Sequence, residues 1–454
     1  MENMDTVKSD TSIENSEQHI TTPHPTFGEA FRFWLKLGFI SFGGPAGQIS
    51  IMHHELVDRK KWISNGRFLN ALNYCMLLPG PEAQQLATYI GWLLHRLPGG
   101  IVAGAFFVIP SIFILFALSY TYAAYGAIPW VASIFNGLKA AIMAIVVSAV
   151  IKIGKKALKN GLMVGLAAAS FVAIYFLKMP FPLIVLGAGI IGFLGSFVLP
   201  DKFNTLNGKG VKGSEQGFVT ICEDDATCHV NPSLKRNLLL IIVFALLWMA
   251  PVLALYTLIP NRVFYTEALF FTKAAFLTFG GAYAVLAYIA QAGVEQYAWL
   301  TGPQMIDGLG LAETTPGPLI MVVQFVGFMG GWNYSGNWSP VMGGLAGSLV
   351  ATYFTFLPCF LFIFLGGPCI EKFRNNAKLS SALSSITAAV VGVVLNLAVW
   401  FGLQVLFPTE GGFSGFAAII GAAAFAAIYW FKAGMITVIA VSGLLGYFWY
   451  QIVL

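Results

Sequence analysis

Lys36-Leu37-Gly38-Phe39-Ile40-Ser41-Phe42-Gly43-Gly44 opens a stretch that continues through Trp62 to Pro79-Gly80-Pro81, and the stretch occurs twice. The second occurrence runs from Lys273 through Phe279-Gly280-Gly281 and Trp299 to Pro316-Gly317-Pro318. The offset, 273 minus 36, is 237 at every landmark, with no gap between them. One shared Gly-Gly is expected by chance in a chain with 49 glycines. Lys, Phe-Gly-Gly, Trp and Pro-Gly-Pro in a single register read instead as a duplicated module, from which the architecture follows.

Working outward, the solvent is settled by composition. The 454 residues are 57% hydrophobic and 10% charged, with a mean hydropathy of +0.76. A soluble domain carries roughly 25% charge, and the apolar stretches reach the about 20 residues that a bilayer-crossing helix needs. Strand-length alternation is missing, which disfavours a barrel. The expected fold is therefore an all-α polytopic membrane protein with two homologous, inverted-topology repeats and broken, re-entrant helices. Residues 1–26 are polar, without an apolar core, and read as a disordered cytoplasmic tail rather than a signal segment. The net charge of +5 forms no dense basic face, so nucleic acid is not an expected partner. Cys75, Cys359 and Cys369 sit in or beside apolar segments, and Cys222 and Cys228 in a central loop with His229. Metal-finger spacing does not occur; free thiols are the favoured reading, and neither a metal nor a cofactor is expected.

The first repeat is placed at 27–200 and the second at 259–454, joined by a cytoplasmic linker at 201–236 and a connecting transmembrane helix at 237–258. Within the first, an apolar helix over 27–42 breaks at Gly43-Gly44-Pro45. A short helix over 68–78 stops at Pro79-Gly80-Pro81, and a half-helix follows from Glu82 to Leu94. Such breaks at membrane depth are tolerated only where protein or a water-filled cavity surrounds them. Full-length segments follow near 100–122, 131–151, 161–177 and 181–199, and after the second pair of breaks near 340–365, 383–406, 413–431 and 435–453. Pro110 and Pro358, like Ala140-Ala141 and Ala388-Ala389, correspond at an offset of 248.

Basic residues set the orientation. In the first repeat they mark Arg59-Lys60-Lys61 and the turn with Lys152, Lys155, Lys156 and Lys159, but not the intervening turn at 124–129. In the second the pattern flips: 291–296 and 408–412 have none, and the intervening turn has Lys372, Arg374 and Lys378. The repeats are thus expected to be oppositely inserted, with a cytoplasmic N-terminus. Inverted repeats with interrupted helices are the design of secondary transporters, with substrate near the midplane. The alternative is that Gly and Pro merely kink ordinary spans.

Helices starting after Gly44 and Pro81, with their counterparts after Gly281 and Pro318, would bring unpaired N–H groups and positive dipole ends to an anion. The expected substrate positions are Gly43, Gly44, Gln48, Asn73, Pro79, Gly80, Pro81, Gln84, Gln85, Gly280, Gly281, Thr315, Pro316, Gly317, Pro318 and Gln324, with Thr88 and Thr314 nearby. For each polar side chain, satisfying a loose backbone group nearby stands beside ligand contact. A charged carboxylate at mid-depth costs about 2.5–3.5 kcal/mol on insertion scales, so Glu82 and Glu313 are candidate proton-coupling groups; for Glu82 the alternative is a helix-start cap. Arg32, Lys36 and Lys273 are vestibule candidates, with snorkelling to head groups as the other reading. A Walker loop, catalytic triad, HExxH and haem signature are all missing, so the chain is not expected to be an enzyme.

Phe42-Gly43-Gly44-Pro45-Ala46-Gly47-Gln48 and the run from Asn73-Tyr74-Cys75 through Leu78-Pro79-Gly80-Pro81-Glu82-Ala83-Gln84-Gln85-Leu86-Ala87 to Tyr89-Ile90-Gly91-Trp92 resemble the chromate ion transporter family, in its long, two-domain bacterial form. The resemblance extends from about Phe27 over nearly the whole chain. It implies proton-driven export of chromate across the bacterial inner membrane, chromate resistance, and sulfate as a competing look-alike. It falls on both Phe-Gly-Gly and both Pro-Gly-Pro stretches, Glu82 and Gln84-Gln85; the second copy departs from it at Leu319-Ile320-Met321. Expected partners are chromate, sulfate, protons and the lipid bilayer, and the chain is compatible with a homodimer. A sulfate importer or anion channel remains an alternative, as does a membrane-embedded enzyme.

Overall fold

The computed structural model describes residues 24–203, 234–279, 281–367, 377–408 and 412–453. Gly280, the cysteines at 222, 228 and 369, His229, Lys372 and Arg374 lie outside the described residues. Regular structure among the described residues is helical throughout. The helices are α1 (Phe27–Ile40), α2 (Gly44–His53), α3 (Asn65–Cys75), α4 (Glu82–Phe106), α5 (Ile109–Tyr125), α6 (Pro129–Ala157), α7 (Gly161–Tyr175), α8 (Phe181–Val198) and α9 (Pro200–Phe203). They continue as α10 (Leu234–Thr257), α11 (Arg262–Phe276), α12 (Ala282–Ala290), α13 (Gly302–Thr314), α14 (Val322–Asn333), α15 (Pro340–Gly366), α16 (Ala377–Leu406), α17 (Gly415–Tyr429) and α18 (Met435–Val453).

Each broken pair turns back on itself. After α2 the chain widens into a turn in which Lys60 N–H donates to Glu55 O, and Trp62 then packs on Phe33 of α1 with ring centroids 5.4 Å apart. Residues 60–62 have therefore returned alongside α1, so the α1–α2 segment turns back on itself. The same wide turn recurs 237 residues later: Tyr297 N–H donates to Ala292 O, and Trp299 packs on Phe270 of α11, again at 5.4 Å. Lys61 and Ala298, both at a φ of +51°, hold corresponding positions after these turns. A non-glycine residue there is strained, and wide turns of this kind cluster at functional places in helices.

α4 reverses where His95 and Arg96 leave helical geometry, and a Cβ on Gly91 would strike the Gly99 carbonyl. Gly331 of α14 and Gly343 of α15 meet in the same backbone-to-backbone way. Only glycine allows helices this close. His95 Nε2 contacts Pro25 O at 3.0 Å, so the turn of α4 lies on the face where α1 begins. The expected span at 100–122 is accordingly two helices: α4 runs on to Phe106, and α5 resumes at Ile109 ahead of Pro110.

The halves are interleaved rather than side by side. α6 of the first half packs along α17 and α18, and α16 of the second half packs along α7 and α8. At these crossings a Cβ on Gly446 would meet the Ser133 carbonyl, and one on Gly192 would meet that of Ser381. The outer surface is apolar: Leu238, Leu239, Leu246 and Leu253 of α10 and Leu183, Leu186, Ile190 and Leu194 of α8 are all exposed. Seven helices among the described residues are long and apolar enough to cross a bilayer. The chain is a multi-pass, all-α membrane protein.

Candidate functional site

The two Pro-Gly-Pro breaks cross. Gly80 N–H donates to Thr278 O at 2.9 Å, and Gly317 N–H donates to Ser41 O at 2.8 Å. Thr278 and Ser41 themselves lie 237 residues apart, so each loop is pinned to the end of the other half's first helix. The local chemistry explains why those carbonyls are free. The Ser41 hydroxyl donates to Leu37 O and the Thr278 hydroxyl to Ala274 O, which closes the last turns of α1 and α11 and leaves the next carbonyl outward. Gly80 and Gly317 have φ values of +129° and +104°, where a side chain is strained. Gly80 faces Cys359 and Gly317 faces Ser111, whose hydroxyl donates to Pro316 O. Ser111 was not singled out from sequence and Cys359 was noted only as a thiol in an apolar segment, although each directly follows one of the prolines, Pro110 and Pro358, that correspond at the 248-residue offset.

Four helix starts surround one narrow cavity at this crossing. Pro45 comes from α2, Glu82 from α4, Ala282 from α12, and Pro318 from the turn Leu319–Met321 ahead of α14. The cavity holds about one water-sized sphere. All four starts are without a side-chain cap. Elsewhere α1, α3, α11 and α13 are capped by Thr26, Ser64, Asn261 and Thr301, while α5, α6 and α8 also start without a side-chain cap. Uncapped N–H groups with aligned dipoles favour an anion. Glu82 is half-buried on the cavity wall, its Oε1 beside Gly281.

The neutral amides donate mostly to backbone, while the carbonyl oxygens of Gln48, Gln84, Gln85 and Gln324 are buried without a partner. Gln48 donates to both Ser41 O and Gly317 O, latching the two halves. Gln85 donates to Pro79 O at 2.7 Å, Gln324 to Ile112 O at 2.8 Å, and Gln84 to the Thr88 hydroxyl at 3.1 Å. Thr314 and Thr315 both bond Leu311 O. Gln48, Gln85 and Gln324 thereby brace backbone at the breaks. Asn73 is exposed on α3, away from the crossing. Arg32 and Lys36 are exposed on α1 beside Phe31, Leu35 and Phe39, and Lys273 is exposed on α11. Glu313 is buried and accepts from the Tyr283 hydroxyl at 2.7 Å, separately from Glu82.

Sequence reading missed two buried carboxyls. Glu267 of α11 is buried with both oxygens unpartnered, facing Gly330 and Gly347. Asp307 of α13 accepts from the Tyr122 hydroxyl at 2.9 Å and lies 3.6 Å from Lys139 Nζ. A carboxylate in the middle of an apolar helix was the available signal for both. Among the described residues no group of three or more His, Cys, Asp or Glu side chains is arranged to hold a metal ion.

Comparison with known proteins gives a consistent result. A family model described as chromate transporter matches residues 28–193 and again 266–447. The chain is 28% identical to a chromate transport protein of Cupriavidus metallidurans, over 82% of each chain. It is 26% identical to a probable chromate transport protein of Synechococcus elongatus, over 87% of this chain and 90% of the relative. An uncharacterized transporter of Methanocaldococcus jannaschii is 25% identical over 93% of this chain and 94% of its own. No solved structure matches.

Proposed function

The chain belongs to the chromate transporter family, and from that premise we propose that it is a secondary transporter that exports chromate from the cytoplasm across the bacterial inner membrane, coupled to protons and conferring chromate resistance. The reciprocal crossing of Gly80 onto Thr278 and Gly317 onto Ser41 carries this reading. It supports an inverted duplication in which both halves build one midplane site. Two broken hairpins opening to opposite faces also suit alternating access, since loosening either crossing would open the site to one side. Orientation is supported by charge. Arg59, Lys60, Lys61, Arg96, Lys155, Lys235 and Arg236 lie toward the end where α1 begins, against Lys178 and Arg262 at the other, which supports a cytoplasmic first face.

In this mechanism the dianion is held by helix-start N–H groups rather than by a fixed cation, so it can be released again. Chromate and sulfate share charge and tetrahedral shape, and sulfate is expected to compete. Glu82 lines the same cavity as the anion would, which makes it the group through which proton and anion occupancy are coupled. The decisive measurement is radiolabelled chromate flux in everted vesicles, with and without an imposed proton gradient. Wild type should accumulate chromate in a gradient-dependent way, and Glu82→Gln should retain membrane insertion while losing that dependence. Equal, gradient-independent flux in both proteins would favour a passive anion path instead.

A further inference from the structure

We propose that a second oxyanion site lies in the cavity at the face where α6 begins, with the Lys139 ammonium as its ligand and Asp307 as the internal carboxylate that occupies Lys139 when no anion is present. The cavity measures about 410 Å³, room for on the order of ten waters. Its wall gathers helix ends from both halves: Ser133, Asn136 and Lys139 of α6, Gln404 of α16, and Trp449 and Tyr450 of α18. A positive group beside the amide of Gln404, the indole N–H of Trp449 and the phenol of Tyr450 is the chemistry of an oxyanion receptor.

Two further observations separate this site from ordinary surface polarity. Lys139 Nζ is 3.6 Å from Asp307 Oδ2 and donates to Asn136 Oδ1 at 3.3 Å, so its position is built rather than floating. Asp307 is 3% exposed and receives the Tyr122 hydroxyl on Oδ2, while its Oδ1 has no partner. A carboxylate so incompletely paired in an apolar bundle is costly. The frame does not require the pair, because Asn70 and Thr387 stand at the corresponding positions of the other repeat, offset by 237 and 248. The charge pair therefore exists at one end only of a duplicated scaffold. An entering dianion would take over Lys139 from Asp307, giving this face an affinity set separately from that of the central crossing.

The inference rests on oxyanion transport as proposed above, and sidedness separates the two. Chromate and sulfate flux would be measured in vesicles of both orientations for wild type, Lys139→Gln, Lys139→Arg and Asp307→Asn. At the Lys139 face, Lys139→Gln should raise the apparent KM at least fivefold, Lys139→Arg should restore most of it, and Asp307→Asn should lower it by removing the competitor. KM from the opposite face should stay within twofold of wild type. If wild type moves neither anion, the transport reading falls; if wild type moves them and KM at the Lys139 face is unchanged in both Lys139→Gln and Asp307→Asn, this site alone is refuted. Should Asp307→Asn fail to accumulate, the Gln and Arg variants at 139 still decide, since loss in both without recovery by Arg would overturn a ligand role.

Discussion

At the scale of single residues, the crossing depends on the smallness and backbone freedom of two glycines. A Cβ at Gly317 meets the Ser111 hydroxyl, and the residue holds a φ of +104°. An L-residue in left-handed backbone costs roughly 1–2 kcal/mol, and overpacking about 1–3 kcal/mol more. Gly317→Ala is therefore expected to lower the thermal stability of the purified protein and to reduce chromate flux at least tenfold. Adding Ser111→Gly should recover part of the stability, because it relieves the contact but not the backbone strain. A fully stable, fully active Gly317→Ala protein would contradict the geometry described. The same scale explains why the amide side chains were half legible. Gln48, Gln84, Gln85 and Gln324 were visible as polar groups beside breaks, but whether such an amide serves a ligand or a carbonyl depends on long-range partners such as Gly317 O and Ile112 O, which no local pattern specifies.

At the scale of elements, the breaks fall where glycine and proline put them. Proline has no N–H and disfavours helix in the residue before it, so Pro79-Gly80-Pro81 ends α3 at Cys75 and restarts the chain at Glu82. Replacing all three with alanine should fuse α3 and α4 and carry the start of α4 away from Thr278. The expected result is normal membrane content with chromate flux at background, checked in the same everted vesicles. Retained flux would mean that the uncapped helix starts are dispensable. The end of the half-helix near His95-Arg96 was also legible, from the polar pair closing an apolar run. The junction at Phe107-Val108 has a local cause in Pro110, which has no N–H for the Phe106 carbonyl, and Gly38 packs against that freed carbonyl. Burial around Glu267 and Asp307 was not legible, because Gly330, Gly347 and Tyr122 reach them only in the folded bundle.

At the scale of the molecule, a duplication suggests two units side by side, yet the long helices are exchanged between them. α6 has its close partners in α17 and α18, and α16 in α7 and α8. The Gly446–Ser133 and Gly192–Ser381 approaches are backbone contacts that lipid tails cannot replace, since small-residue crossings in membranes depend on van der Waals fit rather than on hydrophobic expulsion. Neither half can therefore satisfy its own α6 or α16, and neither can build the cavity that needs helix starts from both. Sequence could reveal the offset of 237 but not this exchange, because pairing between remote helices leaves no periodic trace. The consequence is testable by dividing the chain in the 201–236 segment. Each half expressed alone should be degraded or aggregate, whereas co-expression should restore both abundance and chromate flux to within severalfold of the intact chain. A single half that accumulates as a monodisperse protein and transports chromate would show that one repeat suffices, and the crossing of Gly80 and Gly317 would then be an assembly contact rather than the substrate's seat.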